Sequence, residues 1–253
     1  MIELKSAAEI ERMKVPCRIV AEILEALCGM VQPGITTKDL DAAAGKMIAR
    51  HGCRSAFKNY RVGDAVYPAV LCVSANEEVV HGIPSGRTLE AGDIVSLDFG
   101  VEYDGFFGDS AVTVAVGDVD AESLKLMEVT RESLYAGVEH MRPGARLGDV
   151  GAAVQARAES NGFSVVRAFV GHGIGRALHE DPQLPNFGKA GRGQTLRPGM
   201  VLAIEPMVNA GTFEVAVNDD GWTAVTTDGR RSAHFEHTVA ITEDGHEILT
   251  ELR

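Results

Sequence analysis

Apolar residues recur every three or four positions near the start of the chain, at Ile10, Met13, Cys17, Val20, Leu24, Leu27 and Val31. That is the spacing of one helix face. Ser6-Ala-Ala-Glu9 ahead of them is a capping box, and Pro33-Gly34 closes the helix. Thr36 or Thr37 caps a second helix that runs to about Arg50 and stops at Gly52. Residues 53–70 hold no period and read as irregular, and strand signals follow at 69–74 and at 79–80, where His81-Gly-Ile-Pro84 enters a turn. In residues 92–109 two strand-forming runs flank Asp104-Gly105, a pair favoured at hairpin tips, and residues 111–116 extend the returning strand. A second long amphipathic helix spans 121–141, marked by Leu124, Met127, Leu134, Val138 and Met141.

The pattern then repeats. Gln32-Pro33-Gly34, Asp39-Leu40, Ala42-Ala43 and Gly52 return as Arg142-Pro143-Gly144, Asp149-Val150, Ala152-Ala153 and Gly162, at a constant spacing of 110 residues (Pro33 to Pro143). A second echo pairs Gly92…Asp98 with Gly199…Glu205, each an apolar strand ending in a carboxylate. Two helix–helix–strand halves, about 1–118 and 119–253, are therefore expected to form one pseudo-twofold α/β (α+β) domain. No Pro/Ser-rich linker separates them, and the period is too long for a solenoid.

Composition narrows the function. The 253 residues suffice for a full core, and a formal charge of −12 argues against nucleic acid as the main ligand. No apolar run approaches the ~20 residues that span a bilayer, and Met-Ile-Glu-Leu-Lys-Ser is no signal pattern. Cys17, Cys28, Cys53 and Cys72 are scattered without a Cys-x-x-Cys, which suits reduced thiols in the cytoplasm.

With Asp104-Gly105 at the hairpin tip, Asp109 lies opposite Gly100 and Asp98 is its diagonal neighbour on the same face. Two carboxylates side by side repel unless a cation lies between them; two solvated aspartates on an exposed face are the alternative. Gly171-His172-Gly173-Ile174-Gly175 sets a histidine among glycines that permit close backbone approach, although an isolated histidine there is by default a polar turn residue. Glu205 ends a strand, where a lone glutamate is usually solvated, and Glu236 sits beside an apolar strand. Together these four carboxylates carry about −4, which two divalent cations neutralise and one does not. One nitrogen, many oxygens and no thiolate favour Mn, Fe or Co, with Zn possible.

Val-Val-His81-Gly-Ile-Pro, Asp98 with Asp109, Gly-His172-Gly-Ile-Gly-Arg with His179-Glu, Ile-Glu205-Pro-Met-Val-Asn and Glu236-His-Thr together resemble type I methionine aminopeptidases over nearly the whole chain. The resemblance implies a pita-bread fold, two pseudo-symmetric halves around a curved antiparallel sheet and a dinuclear metal site. With no extension before the first helix, it is to the short, bacterial-style form. It implies that Asp98 holds one metal, Asp109 and Glu236 bridge, and His172 and Glu205 complete the other. Glu205 would also shuttle the proton of the attacking water, His179 stabilise the oxyanion and His81 serve the leaving amine. Tyr60, Tyr67, Cys72, Leu178 and Trp222, with Phe57, match the pocket for the methionine side chain. The implied substrates are N-terminal methionyl peptides with a small second residue, met on nascent chains at the ribosome by a cytoplasmic monomer. No basic docking stretch is evident.

Two departures stand out. The segment between Tyr60 and Tyr67 is longer than the link usual in that family, and His234 replaces a common glutamine two residues before Glu236. By strand alternation His234 shares a face with Glu236, where tuning that ligand, contacting substrate or adding a pH dependence are all open. The competing readings are a proline-directed peptidase of the same fold, usually carrying a further N-terminal domain, and a non-catalytic binding module, which loss of a ligand would mark. Asp98-Phe-Gly lacks the partners of a kinase metal loop, and the glycines of 171–175 are misplaced for dinucleotide binding.

Overall fold

The computed structural model describes residues 2–252. Helix α1 (Ala7–Cys28) opens on Ser6, whose hydroxyl accepts the Glu9 amide while the Glu9 carboxylate accepts the Ser6 amide. The predicted capping box forms. Helix α2 (Thr37–His51) starts from the same reciprocal pairing of Thr36 with Asp39 and stops at Gly52, at a φ of 66° that glycine adopts without steric cost. Helices α3 (Ala121–Val138) and α4 (Leu147–Glu159) form the second pair.

Two helix ends fall short of expectation. α1 stops at Cys28, before Val31, and α3 at Val138, before Met141. The chain continues in tighter turns, with Met30 N–H donating to the Leu27 carbonyl and Met141 N–H to that of Val138. Those turns keep Val31 and Met141 against the apolar cores, so the hydrophobic period outlasts the helix.

α1 and α2 pack on a sheet made of Arg54–Ser55, Cys72–Ala75, Ile94–Tyr103 and Phe106–Ala115. α3 and α4 pack on a second, ordered Glu180–Leu184, Gly171–Gly173, Val201–Ile204, His237–Ile241, His246–Ile248. α1 crosses the Phe106–Ala115 strand at Gly108, where a Cβ would lie 2.7 Å from the Cys17 nitrogen. The two sheets meet at a seam. Glu236 N–H donates to the Ala111 carbonyl at 2.9 Å and Thr238 Oγ1 to the Asp109 carbonyl at 2.8 Å. The seam continues into the adjoining strand Ser232–His234 of a three-stranded sheet, where Thr113 Oγ1 donates to the His234 carbonyl at 2.8 Å.

Residues 53–70 are less irregular than expected. Arg61–Val62 and Ala65–Val66 form a small hairpin that continues through Tyr67 N–H to the Tyr60 carbonyl. Two residues a side leave no period to read. The strand expected at 69–74 is Cys72–Ala75. Among the described residues no helix is long and apolar enough to cross a membrane.

Candidate metal centre

Strand register alone brings five chemical residues to one face. Asp98 lies opposite Cys72 on one side and Ala111 on the other, and Ala111 bridges to Glu236. Ile204 pairs with His237, so the next position of that register sets Glu205 beside Glu236. The neighbouring rung runs from Gly100 to Asp109, across the seam to Thr238, then to Ala203 and His172. Residues directly opposite, or two apart along a strand, share a face. Asp98, Asp109, His172, Glu205 and Glu236 accordingly line one cavity of about 270 Å³. The positions between them are Gly100, Ala111, Ala203 and Thr238, small enough to leave the space open.

His172 sits in the strand Gly171–Gly173, between two neighbours, and not in a turn. The flanking glycines serve that packing: a Cβ on Gly171 would run into the Ala203 carbonyl oxygen, and one on Gly173 into that of Asp181. His172 Nδ1 is 2.9 Å from the Gly173 carbonyl oxygen. A carbonyl only accepts, so Nδ1 carries the proton and the Nε2 lone pair is free. That lone pair faces Glu205 Oε1 at 3.5 Å, an unfavourable meeting with a carboxylate unless a cation lies between.

The carboxylates make the same demand. Asp98 Oδ1, Asp109 Oδ1 and Glu236 Oε1 are buried with no hydrogen-bond partner. Desolvation raises Asp98 to about 7 and Asp109, Glu205 and Glu236 well above the carboxylate range, with mutual repulsion adding to the last three. Ligand atoms of Asp109, His172 and Glu236 lie within 4.8 Å of one another, close enough to share an ion. The donor set, mostly hard oxygen with one imidazole nitrogen, suits a divalent cation.

A pH dependence follows for the metal-free protein. Carboxyls raised in the folded state bind more protons there than in the unfolded chain, so stability is gained as pH falls through their folded pKa values. His81, His172, His234 and His237, lowered by burial to about 4, 3, 3 and 4, and His179, lowered too, act oppositely as pH falls toward and below their unfolded value of 6.5. Between pH 8.5 and 6.5 the carboxyls dominate: the histidines oppose them only toward the lower limit, and the thiols of Cys17, Cys28, Cys53 and Cys72, raised by burial, act in the same direction as the carboxyls near the upper one. The metal-free Tm is expected to rise by roughly 5 °C across that interval, and a flat or falling Tm in thermal scans would contradict the cluster's burial.

The remaining predicted residues surround the cluster. His81 holds a φ of 61°, rare for a residue with a side chain, and its ring meets Phe169 edge-on at 5.4 Å and Trp222 at 6.3 Å. His179 stands at the mouth, 4.2 Å from the His172 ring, with Nδ1 2.7 Å from Tyr60 Oη. Tyr67, Cys72, Leu178, Trp222 and Phe57 close the apolar end. Tyr67 is pinned by its hydroxyl to the Leu71 and Gly82 carbonyls and packs edge-on against Trp222 at 5.2 Å. Thus every predicted site residue lines one cavity. His234 lies on the next rung, paired across the seam with Thr113, and its Nε2 is 3.9 Å from Oε2 of Glu205, a different carboxylate from the Glu236 to which alternation pointed.

Three participants escape sequence reading. Val62, from the small hairpin, also lines the cavity although 61% exposed. Lys5, nearly buried, binds Glu180 at 2.6 Å, and Glu180 also accepts the Arg176 and Ala177 amides, tying down the loop that carries His179. The signal for Glu180 was its place next to His179; Lys5, 175 residues away, left none.

A buried, cation-demanding cluster on the seam of two matched helix–helix–sheet halves defines a metalloenzyme. The chain belongs to metallopeptidase family M24, which it matches over residues 11–243. It is 50% identical over 250 residues to methionine aminopeptidase 1 of Bacillus subtilis and 51% identical to the methionine aminopeptidase of Clostridium perfringens, covering 99% of each chain in both pairs. The crystal structure of methionine aminopeptidase from Thermotoga maritima superposes with a TM-score of 0.96 at 49% identity over all of both chains. Prolidase from Pyrococcus furiosus, 22% identical, gives 0.79 and shares the fold over 99% of this chain and 66% of its own. The fold is the pita-bread fold.

Proposed function

We propose that the protein removes the initiator methionine from nascent polypeptides as a dinuclear-metal aminopeptidase. The observation that carries this reading is the joining, in one cavity, of an unsatisfied four-carboxylate, one-imidazole cluster to an apolar end. Full-length likeness to methionine aminopeptidases supports the substrate class. Asp98, Asp109, His172, Glu205 and Glu236 hold two divalent cations, of the Mn, Fe or Co kind or Zn. When bound, the cations supply electrophilic activation of a water and of the first peptide carbonyl.

Tyr67, Cys72, Leu178 and Trp222, with Tyr60 and Phe57 at the edges, take the methionine side chain and exclude water around it. Glu205 accepts the proton of the attacking water. His179 donates to the carbonyl oxygen as charge develops there. His81, held neutral by burial, has an imidazole N–H to offer the departing amide nitrogen. We assign the chain one domain of two halves, about 1–118 and 119–253, acting as a monomer in the cytoplasm and meeting its substrates at the ribosome.

A series of peptides Met-Xaa-Gly-Gly tests the reading. Turnover should be highest for Gly, Ala and Ser and fall by roughly 10²-fold for Leu or Arg at the second position, as steric exclusion from a closed site of several kcal/mol allows. Equal cleavage across the series would overturn the assignment.

A further inference from the structure

We infer that Tyr60 is a positioning residue that sets the tautomer of His179, beyond any part it has in the side-chain pocket. The inference rests on the oxyanion role given to His179 above. A neutral imidazole carries one N–H and one lone pair, and the partner of one nitrogen decides which is which. Two of the cavity's three histidines have opposite partners. His172 Nδ1 faces a carbonyl, which forces the proton onto Nδ1 and frees Nε2 to bind a cation. His179 Nδ1 faces the Tyr60 hydroxyl at 2.7 Å. A hydroxyl can donate, and when it does Nδ1 takes the lone pair and Nε2 the hydrogen.

The role given to His179 requires that direction, because a lone pair at Nε2 would repel the charge developing on the carbonyl oxygen, whereas an N–H stabilises it. The Tyr60 hydroxyl has a proton to give and a neutral imidazole a lone pair to take it, so one hydrogen fills the bond they share. The tyrosine is fixed in place. Its carbonyl accepts the Tyr67 amide, its own amide donates to the Phe57 carbonyl, and the Arg61–Val66 hairpin begins at the next residue. Its ring also meets the His179 ring edge-on at 5.2 Å. One hydroxyl thus turns a histidine next to a metal site into a hydrogen-bond donor and keeps it from serving as another ligand.

The test is the imidazole nitrogen spectrum of the zinc-loaded, ¹⁵N-histidine-labelled protein, with His179→Gln identifying the signals. The inference requires a protonated Nε2 and an unprotonated Nδ1 in the wild type. It also requires Tyr60→Phe, which keeps the ring and removes the hydroxyl, to shift His179 to a mixture or to the opposite tautomer. On a Met-Ala peptide, Tyr60→Phe should lower kcat about 10-fold or more with KM changed less than about threefold and metal content unchanged. A wild-type His179 protonated at Nδ1 overturns the inference, as does a Tyr60→Phe protein with unchanged tautomer and kcat. Should Tyr60→Phe fail to fold, the wild-type spectrum decides alone. The spectrum needs no substrate, so a protein with the required tautomer that cleaves no methionyl peptide overturns the peptidase reading and leaves this inference intact.

Discussion

Asp109→Ala is expected to bind at most one divalent cation per chain and to lose turnover by roughly 10³-fold or more, the scale of losing a group that acts at the reacting centre. Asp109 is the residue on which both halves converge. It comes from the returning strand of the first hairpin, sits across from Gly100, and is joined through its backbone to Thr238 of the second sheet. Its Oδ1 is buried without a partner, and its ligand atom lies within 4.8 Å of those of His172 and Glu236. No other residue of the cluster belongs to the first half and to that close group at once. Alanine there leaves the backbone bonds of the seam intact, so the variant should fold. Metal content by mass spectrometry reads the effect directly; wild-type stoichiometry in the folded variant would remove Asp109 from the metal site.

How much of this was legible in the sequence depends on the range of the interaction. The pairing of Asp98 with Asp109 is local: a tight turn at Asp104-Gly105 fixes the register, and a period of two fixes the face. The 110-residue repeat was legible because helix ends and caps are written in residues adjacent in sequence. The row that continues from Ala111 to Glu236 and on to Glu205 was not. It depends on an isolated bridge across the seam, between strands about 125 residues apart in the chain. For the same reason Glu236 read only as a carboxylate beside an apolar strand. Likeness to a known family supplied what periodicity did not.

The histidines show the limit in another form. His172 among glycines read by default as a turn residue, whereas the glycines are there because two flanking strands press their carbonyls against them. The bond of Tyr60 to His179 joins residues 119 positions apart. Nothing in either segment announces it. The small hairpin after Tyr60 was visible only as extra length, since two residues a side carry no alternation. His234 was placed on the correct face by alternation, but its nearest carboxylate proved to be Glu205, from the other strand.

Removing the metals is expected to have the other large effect. Protein stripped by a chelator should cleave neither a peptide beginning Met-Ala nor one beginning Ala-Pro, because four buried carboxylates and three neutral histidines provide no activated water without cations. Titrating Mn, Co or Fe back should restore release of methionine from the first peptide alone, by roughly 10³-fold or more over the stripped protein, with saturation near two ions per chain. Cleavage before proline, or methionine release that persists after the metals are gone, would contradict the account.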